Sequence, residues 1–97
     1  MRIIAKKTLR EFWECHADAE QALKAWYYDV KYADWKSPVD IRKTYATASI
    51  LANNRVVFNI RGNNYRLVVA INYDFGIVYI RFVGTHQEYD QIDAEYI

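Results

Sequence analysis

The sequence predicts a single α+β domain over residues 1–97, with an N-terminal strand and helices packed on an antiparallel β-meander and a short C-terminal helix. Three observations predict it. The first half carries apolar residues at helical spacing behind helix-start signals; the second half switches to runs of Val, Ile, Phe and Tyr; and turn-forming residues punctuate those runs at hairpin spacing. Helices first and strands afterwards make an α+β layer rather than alternating βαβ units.

Met1-Arg2-Ile3-Ile4-Ala5 reads as a short opening strand. Thr8 with Glu11 has the form of a capping box in front of an apolar stripe at Leu9, Phe12 and Trp13, and His16 follows as an end-of-helix residue. Asp18 with Gln21 offers a second start, followed by Ala19, Ala22, Leu23, Trp26, Tyr27 and Val30 on one helix face with Glu20, Lys24 and Lys31 on the other. Ser37-Pro38 gives a third, with Ser as N-cap and Pro at the first helical position, so Ile41-Arg42-Lys43 lies on a short helix. Thr44 to Asn54 reads as a connecting loop.

Arg55 to Ile60, Tyr65 to Tyr73 and Ile77 to Gly84 are the strands of the meander. Arg61-Gly62-Asn63-Asn64 and Asp74-Phe75-Gly76 join them, and both are rich in residues that tolerate positive φ. Thr85 and Glu88 form a further capping box, so the terminal helix opens at His86.

Composition bounds the function. A chain of 97 residues with 53% hydrophobic content builds one core and buries roughly 60 to 70% of its unfolded surface. The longest aliphatic runs, such as Leu67 to Ile71, fall far short of the roughly 18 residues a membrane helix needs, and the N-terminus lacks the length of a signal peptide. A cytoplasmic protein with no membrane partner is expected. Cys15 cannot form an internal disulfide and reads as a small core residue. Two His and one Cys do not make a metal cluster, and no cofactor is expected. Net charge is +1, yet between residues 53 and 86 Arg55, Arg61, Arg66 and Arg81 stand against Asp74 alone.

Register decides which polar residues share a site. If Ile60 faces Tyr65 and Tyr73 faces Ile77, then Asn59 faces Arg66, and Arg66 faces Gly84. Arg55, Asn59 and Arg66 then share one sheet face, with His86 just beyond Gly84 on the same side and Arg81 on the opposite face. Gly84, with no side chain, leaves room for a ligand between Arg66 and His86.

The block running from Asn54-Arg55 through Val56-Val57-Phe58-Asn59-Ile60-Arg61-Gly62-Asn63-Asn64-Tyr65-Arg66-Leu67-Val68, followed by Tyr79-Ile80-Arg81 and Thr85-His86-Gln87-Glu88-Tyr89-Asp90, resembles the HigB branch of the RelE-like toxins. The resemblance covers essentially the whole chain, most specifically in this block. It implies the toxin of a type II toxin–antitoxin pair, an endoribonuclease that cuts mRNA on the ribosome. It also implies a HigA-type helix-turn-helix antitoxin, with DNA reached only through the toxin–antitoxin complex. By the same resemblance Arg66, His86 and Tyr89 are the catalytic group. Many RelE-like enzymes carry lysines on the strand matching Arg55 to Ile60 and an Arg where His86 stands. Here Arg55, Asn59, Arg61 and Lys43 are the candidates for RNA contacts.

The inventory suits that chemistry without a metal. Attack by the RNA's own 2′-hydroxyl needs a proton acceptor, a cation for the charge on the pentavalent phosphate, and an acid for the departing 5′-oxygen. A guanidinium binds two phosphate oxygens at once. An imidazole ordinarily titrates near pH 6.5, whereas a phenol near 10 stays protonated, so His86 is expected to move the proton and Tyr89 to stack on or orient the substrate. An alternative from another class is a catalytically inactive relative that binds RNA or a protein through the same patch.

Overall fold

The computed structural model describes residues 1–97. Its elements are β1 (Arg2–Ile4), α1 (Lys6–Cys15), a 3₁₀ turn (Ala17–Ala19), α2 (Glu20–Lys31), α3 (Pro38–Thr44), β2 (Ser49–Ile50), β3 (Arg55–Ile60), β4 (Tyr65–Asn72), β5 (Ile77–Thr85) and α4 (His86–Tyr89). The five strands form one mixed sheet in the order β1-β5-β4-β3-β2, antiparallel except where β1 runs parallel to β5 at one edge. The α+β expectation holds, including the opening strand and the terminal helix.

The helices cover one sheet face. Leu9 of α1, Leu23, Trp26 and Val30 of α2 and Ile41 of α3 meet Phe58, Leu67, Val69 and Val78 in a single buried cluster. Phe58 is its aromatic hub, edge-on to Trp26 and Tyr45 at ring separations of 5.4 and 5.2 Å. The other sheet face is covered only in part. Val57, Val68 and Ala94 form a small second cluster, flanked by Leu51, Phe82, Tyr89, Ile92 and Ile97, so the segment after α4 folds back over that face. No helix is long and apolar enough to cross a membrane.

Several local expectations are corrected. Thr8 is no N-cap: α1 already begins at Lys6 behind Ala5, and Glu11 lies 3.7 Å from Lys7 instead. The Asp18 carboxylate does not cap α2, because the Tyr65 hydroxyl and Arg61 Nη1 both donate to it, at 2.5 and 3.0 Å. Ser37 is the N-cap residue of α3 with Pro38 at the first position, but its side chain makes no cap hydrogen bond; the Asp40 carboxylate instead accepts the Lys36 N–H, just ahead of the helix, at 2.9 Å. Cys15 is exposed rather than a core residue. The stretch read as a loop contains β2, which pairs Ser49 with Val57 and Ile50 with Val56. Asn53 and Asn54, at φ of 60° and 58°, supply the two consecutive left-handed positions that a tight hairpin turn requires.

Candidate functional site: an arginine-bearing sheet face

The β3–β4 register is the expected one, Ile60 opposite Tyr65 and Asn59 opposite Arg66. Arg61 and Gly62, at φ of 52° and 63°, turn the chain here, and the Arg61–Asp18 contact ties the turn to the helix layer. The Asp18 carboxylate also raises the Tyr65 hydroxyl above its ordinary range, because a phenolate there would face the carboxylate and lose the hydrogen bond.

At the second turn the expected register is off by one: Asn72, not Tyr73, faces Ile77. The offset lasts through Val69 opposite Ile80 and is cancelled where Val68 faces Phe82, leaving Arg81 as the extra residue of a β-bulge. Arg66 therefore faces Gly84 as expected, but for a different reason. The bulge also re-aims Arg81. It does not point to the helix side beside Phe58 and Leu67; its Nε donates to the backbone oxygen of Ile97 at 3.1 Å, the atom to which Arg55 Nη2 donates at 2.7 Å.

Arg66 is half-buried, and its Nη1 donates to the carbonyls of Asn63 and Tyr65 at 3.1 and 3.4 Å. The His86 backbone N–H donates to the neighbouring Asn64 carbonyl at 3.3 Å. One turn thus fixes both the guanidinium and the start of α4. The Thr85–Glu88 capping box forms in full, with Glu88 N–H to Thr85 Oγ1 at 3.1 Å and Thr85 N–H to Glu88 Oε1 at 2.8 Å. The Thr85 amide holds the Glu88 carboxyl below its ordinary range. His86 is exposed, with Nδ1 3.2 Å from Asp90 Oδ2 one turn on. Tyr89 is half-buried on the Val57–Val68 cluster, and Val68 lies two positions from Arg66 on the same side of β4.

The structure thus sets Asn59 and Arg66 opposite each other and seats Tyr89 on the same sheet face, with Arg55 further along it, while His86 opens α4 beside the β3–β4 turn with its ring toward Asp90. Two residues of the expected RNA-binding set do not join them. Lys43 lies on α3 in the helix layer, across the sheet, 3.7 Å from Asp40. Arg61 is held by Asp18. The space expected at Gly84 is also filled: a Cβ there would come within 2.5 Å of the Phe82 ring, which lies over the glycine. The sequence reads Asp90 as an exposed helix charge without its contact to His86, gives Phe82 no role and puts Arg81 on the wrong face. Asp90 was findable from its i,i+4 spacing to His86; Arg81 was not, because a bulge leaves no mark in the strand pattern.

No three His, Cys, Asp or Glu side chains converge on a point that could hold a metal ion.

Comparison with known families places this scaffold in the RelE-like toxin class. Residues 19–92 match the family model described as HigB_toxin, RelE-like toxic component of a toxin-antitoxin system, and the chain belongs to this family. It is 26% identical over 98 residues to the mRNA interferase HigB of Escherichia coli O6:H1, covering 99% of this chain and 95% of that protein. It is 27% identical over 96 residues to the mRNA interferase toxin HigB of Escherichia coli K12, covering 97% and 92%, and to the mRNA interferase HigB of Shigella flexneri with the same coverage.

Proposed function

We propose that the chain is an mRNA interferase, an endoribonuclease that cleaves mRNA on the ribosome and is neutralised by a HigA-type antitoxin. The observation that carries this reading is the set of arginines on the open sheet face. Arg66 donates only to main-chain carbonyls of its own turn, and Arg55 and Arg81 converge on the oxygen of Ile97, the last residue of the sequence, whereas Arg61, the remaining arginine of the strand region, is paired with an acidic side chain. Three guanidinium groups with no acidic side chain paired to them, on the face that also seats the Tyr89 phenol, suit a substrate that brings its own negative charge.

In this reading Arg66 stabilises the charge that develops on the phosphate and His86 transfers the proton through Nε2, its Nδ1 being held toward Asp90. Tyr89 stacks on or orients the nucleotide. Asn59, across from Arg66, and Arg55 contact the RNA backbone. No divalent ion takes part in the chemical step. A face with so few free cations attracts naked RNA weakly, so the ribosome supplies the positioning.

The test is expression in cells with and without a co-expressed HigA-type antitoxin, with mRNA ends mapped in both. New ends within translated reading frames, abolished by the antitoxin and by Arg66→Ala, are the expected result. Growth arrest without new ends would instead support a non-catalytic binding module. Cleavage of naked RNA at physiological salt as fast as on programmed ribosomes would remove the ribosome from the mechanism.

A further inference from the structure

Arg55 and Arg81 meet at one atom. Arg55 Nη2 and Arg81 Nε both donate to the backbone oxygen of Ile97, at 2.7 and 3.1 Å. Arg55 Nη1 is engaged by the Asn53 carbonyl at 2.9 Å, while its Nε is buried without a hydrogen-bond partner. No carboxylate side chain is paired with either guanidinium; of the strand arginines only Arg61 has that arrangement. The acceptor belongs to the last residue of the sequence, where a chain end carries an α-carboxylate, so the two guanidiniums converge on a position suited to an anionic oxygen, and the unsatisfied, buried Arg55 Nε adds a desolvation cost. A phosphodiester taking that position would bring a negative charge and further acceptor oxygens.

The surroundings say which anion. Arg55 faces Ala70, and Ala70 faces Tyr79, so Arg55 and the half-buried Tyr79 belong to one row across three strands, with Arg81 two residues beyond Tyr79. This row lies on the Arg66 face, four residues along β4 from Arg66, or about 13 Å at the rise of an extended strand. That separation lets the two places engage different nucleotides of one strand rather than a single phosphate. Cations beside an aromatic ring, repeated along a groove, are what single-stranded nucleic acid requires. The occupant in the free protein is the segment Ile92–Ile97, anchored by its apolar side chains on Val57 and Val68 and by Asn53 Nδ2 to the Glu95 carbonyl at 3.0 Å.

We propose that Arg55 and Arg81 form a second phosphodiester subsite for the RNA strand bound at Arg66, and that the segment ending at Ile97 covers it as a strap which the RNA displaces. The inference rests on the proposed reading of the face as an RNA site, and it adds Arg81, Tyr79 and the strap to that site.

The experiment measures binding of a short single-stranded RNA, made uncleavable by 2′-deoxy substitution, by fluorescence anisotropy over a salt series, together with kcat and KM on programmed ribosomes. Arg81→Gln is expected to weaken RNA binding and raise KM roughly tenfold with kcat unchanged, and to reduce the salt slope of binding by about 0.7, the share of one phosphate contact on a single strand. Arg81→Lys keeps the charge and should recover most of that slope. Removing residues 95–97 should tighten RNA binding several-fold, since the strap no longer competes. If Arg81→Gln lowers the melting temperature but leaves affinity, KM and salt slope at wild-type values, the clamp is only a structural tie and the proposal is wrong. It is equally wrong if removal of residues 95–97, in a protein that still melts cooperatively, weakens binding. A wild-type protein that binds the oligonucleotide through Arg81 but cleaves nothing would overturn the nuclease reading and leave this subsite standing.

Discussion

Three single substitutions in and just after α4 separate the roles proposed for its side chains. Replacing His86 by Gln removes a general acid–base group, which costs roughly 100- to 10,000-fold in rate, or about 3 to 5 kcal/mol in the barrier at about 1.4 kcal/mol per factor of ten. Replacing Asp90 by Asn should cost far less. The His86 and Asp90 side chains are 51% and 56% exposed, with Nδ1 to Oδ2 at 3.2 Å, and water screens such a pair to at most about 1 kcal/mol. That is about fivefold in rate. Tyr89→Phe keeps the ring seated on the Val57–Val68 cluster and removes only the hydroxyl, so a loss of less than about tenfold is expected for a stacking role. The assay is single-turnover cleavage of a defined message on programmed ribosomes, with thermal melting of each variant as the control for folding. A crippled Tyr89→Phe beside a nearly normal His86→Gln would refute the assignment and make the phenol the proton-transfer group.

Other perturbations test the scaffold and the proposal that the chemical step needs no metal ion. Phe58→Leu, which loses the edge contacts to Trp26 and Tyr45, should cost about 2 kcal/mol in urea unfolding and leave kcat unchanged, because it lies on the helix side of the sheet. Gly84→Ala drives a Cβ to within 2.5 Å of the Phe82 ring; a cost of about 1 to 3 kcal/mol is expected, and most of it should vanish when the same change is made in a Phe82→Ala background. The depressed Glu88 carboxyl fixes the sign of a pH effect. Its contribution to α4 is complete above the ordinary carboxylate range and is lost as pH falls through the lower folded value, so hydrogen exchange at the Thr85 amide should accelerate on acidification and be insensitive to pH in Glu88→Gln once intrinsic exchange is divided out. Exchanging magnesium for cobalt hexammine, with ribosomes verified as assembled, should leave cleavage running; complete loss would place a divalent ion in the chemical step.

What the sequence determined by itself were the features that local physics controls. Period and caps identified the helices, the strands and the α+β order, and the Thr85–Glu88 capping box was readable because both of its bonds lie within four residues. The family was legible in the block around Arg66 and His86, and the Asn59–Arg66 register followed from a short turn with a left-handed Arg61-Gly62 pair. Tertiary structure decided whatever depended on a partner distant in sequence. Asp18 had the spacing of a cap but was captured by Tyr65 and Arg61, more than forty residues away, since a carboxylate near a guanidinium and a phenol gains more than one beside a helix-end amide. β2 has only two residues, too short for a periodicity to show, and exists because β3 offers an edge. The bulge at Arg81 absorbed a one-residue difference between β4 and β5, so both faces stayed packed and Arg66 kept its place opposite Gly84 while Arg81 changed sides. The small second cluster and the segment that returns over it belong to the same category: Ile92, Ala94 and Ile97 form no regular pattern, and only the apolar Val57–Val68 surface of a finished sheet, which they bury, gives them somewhere to bind.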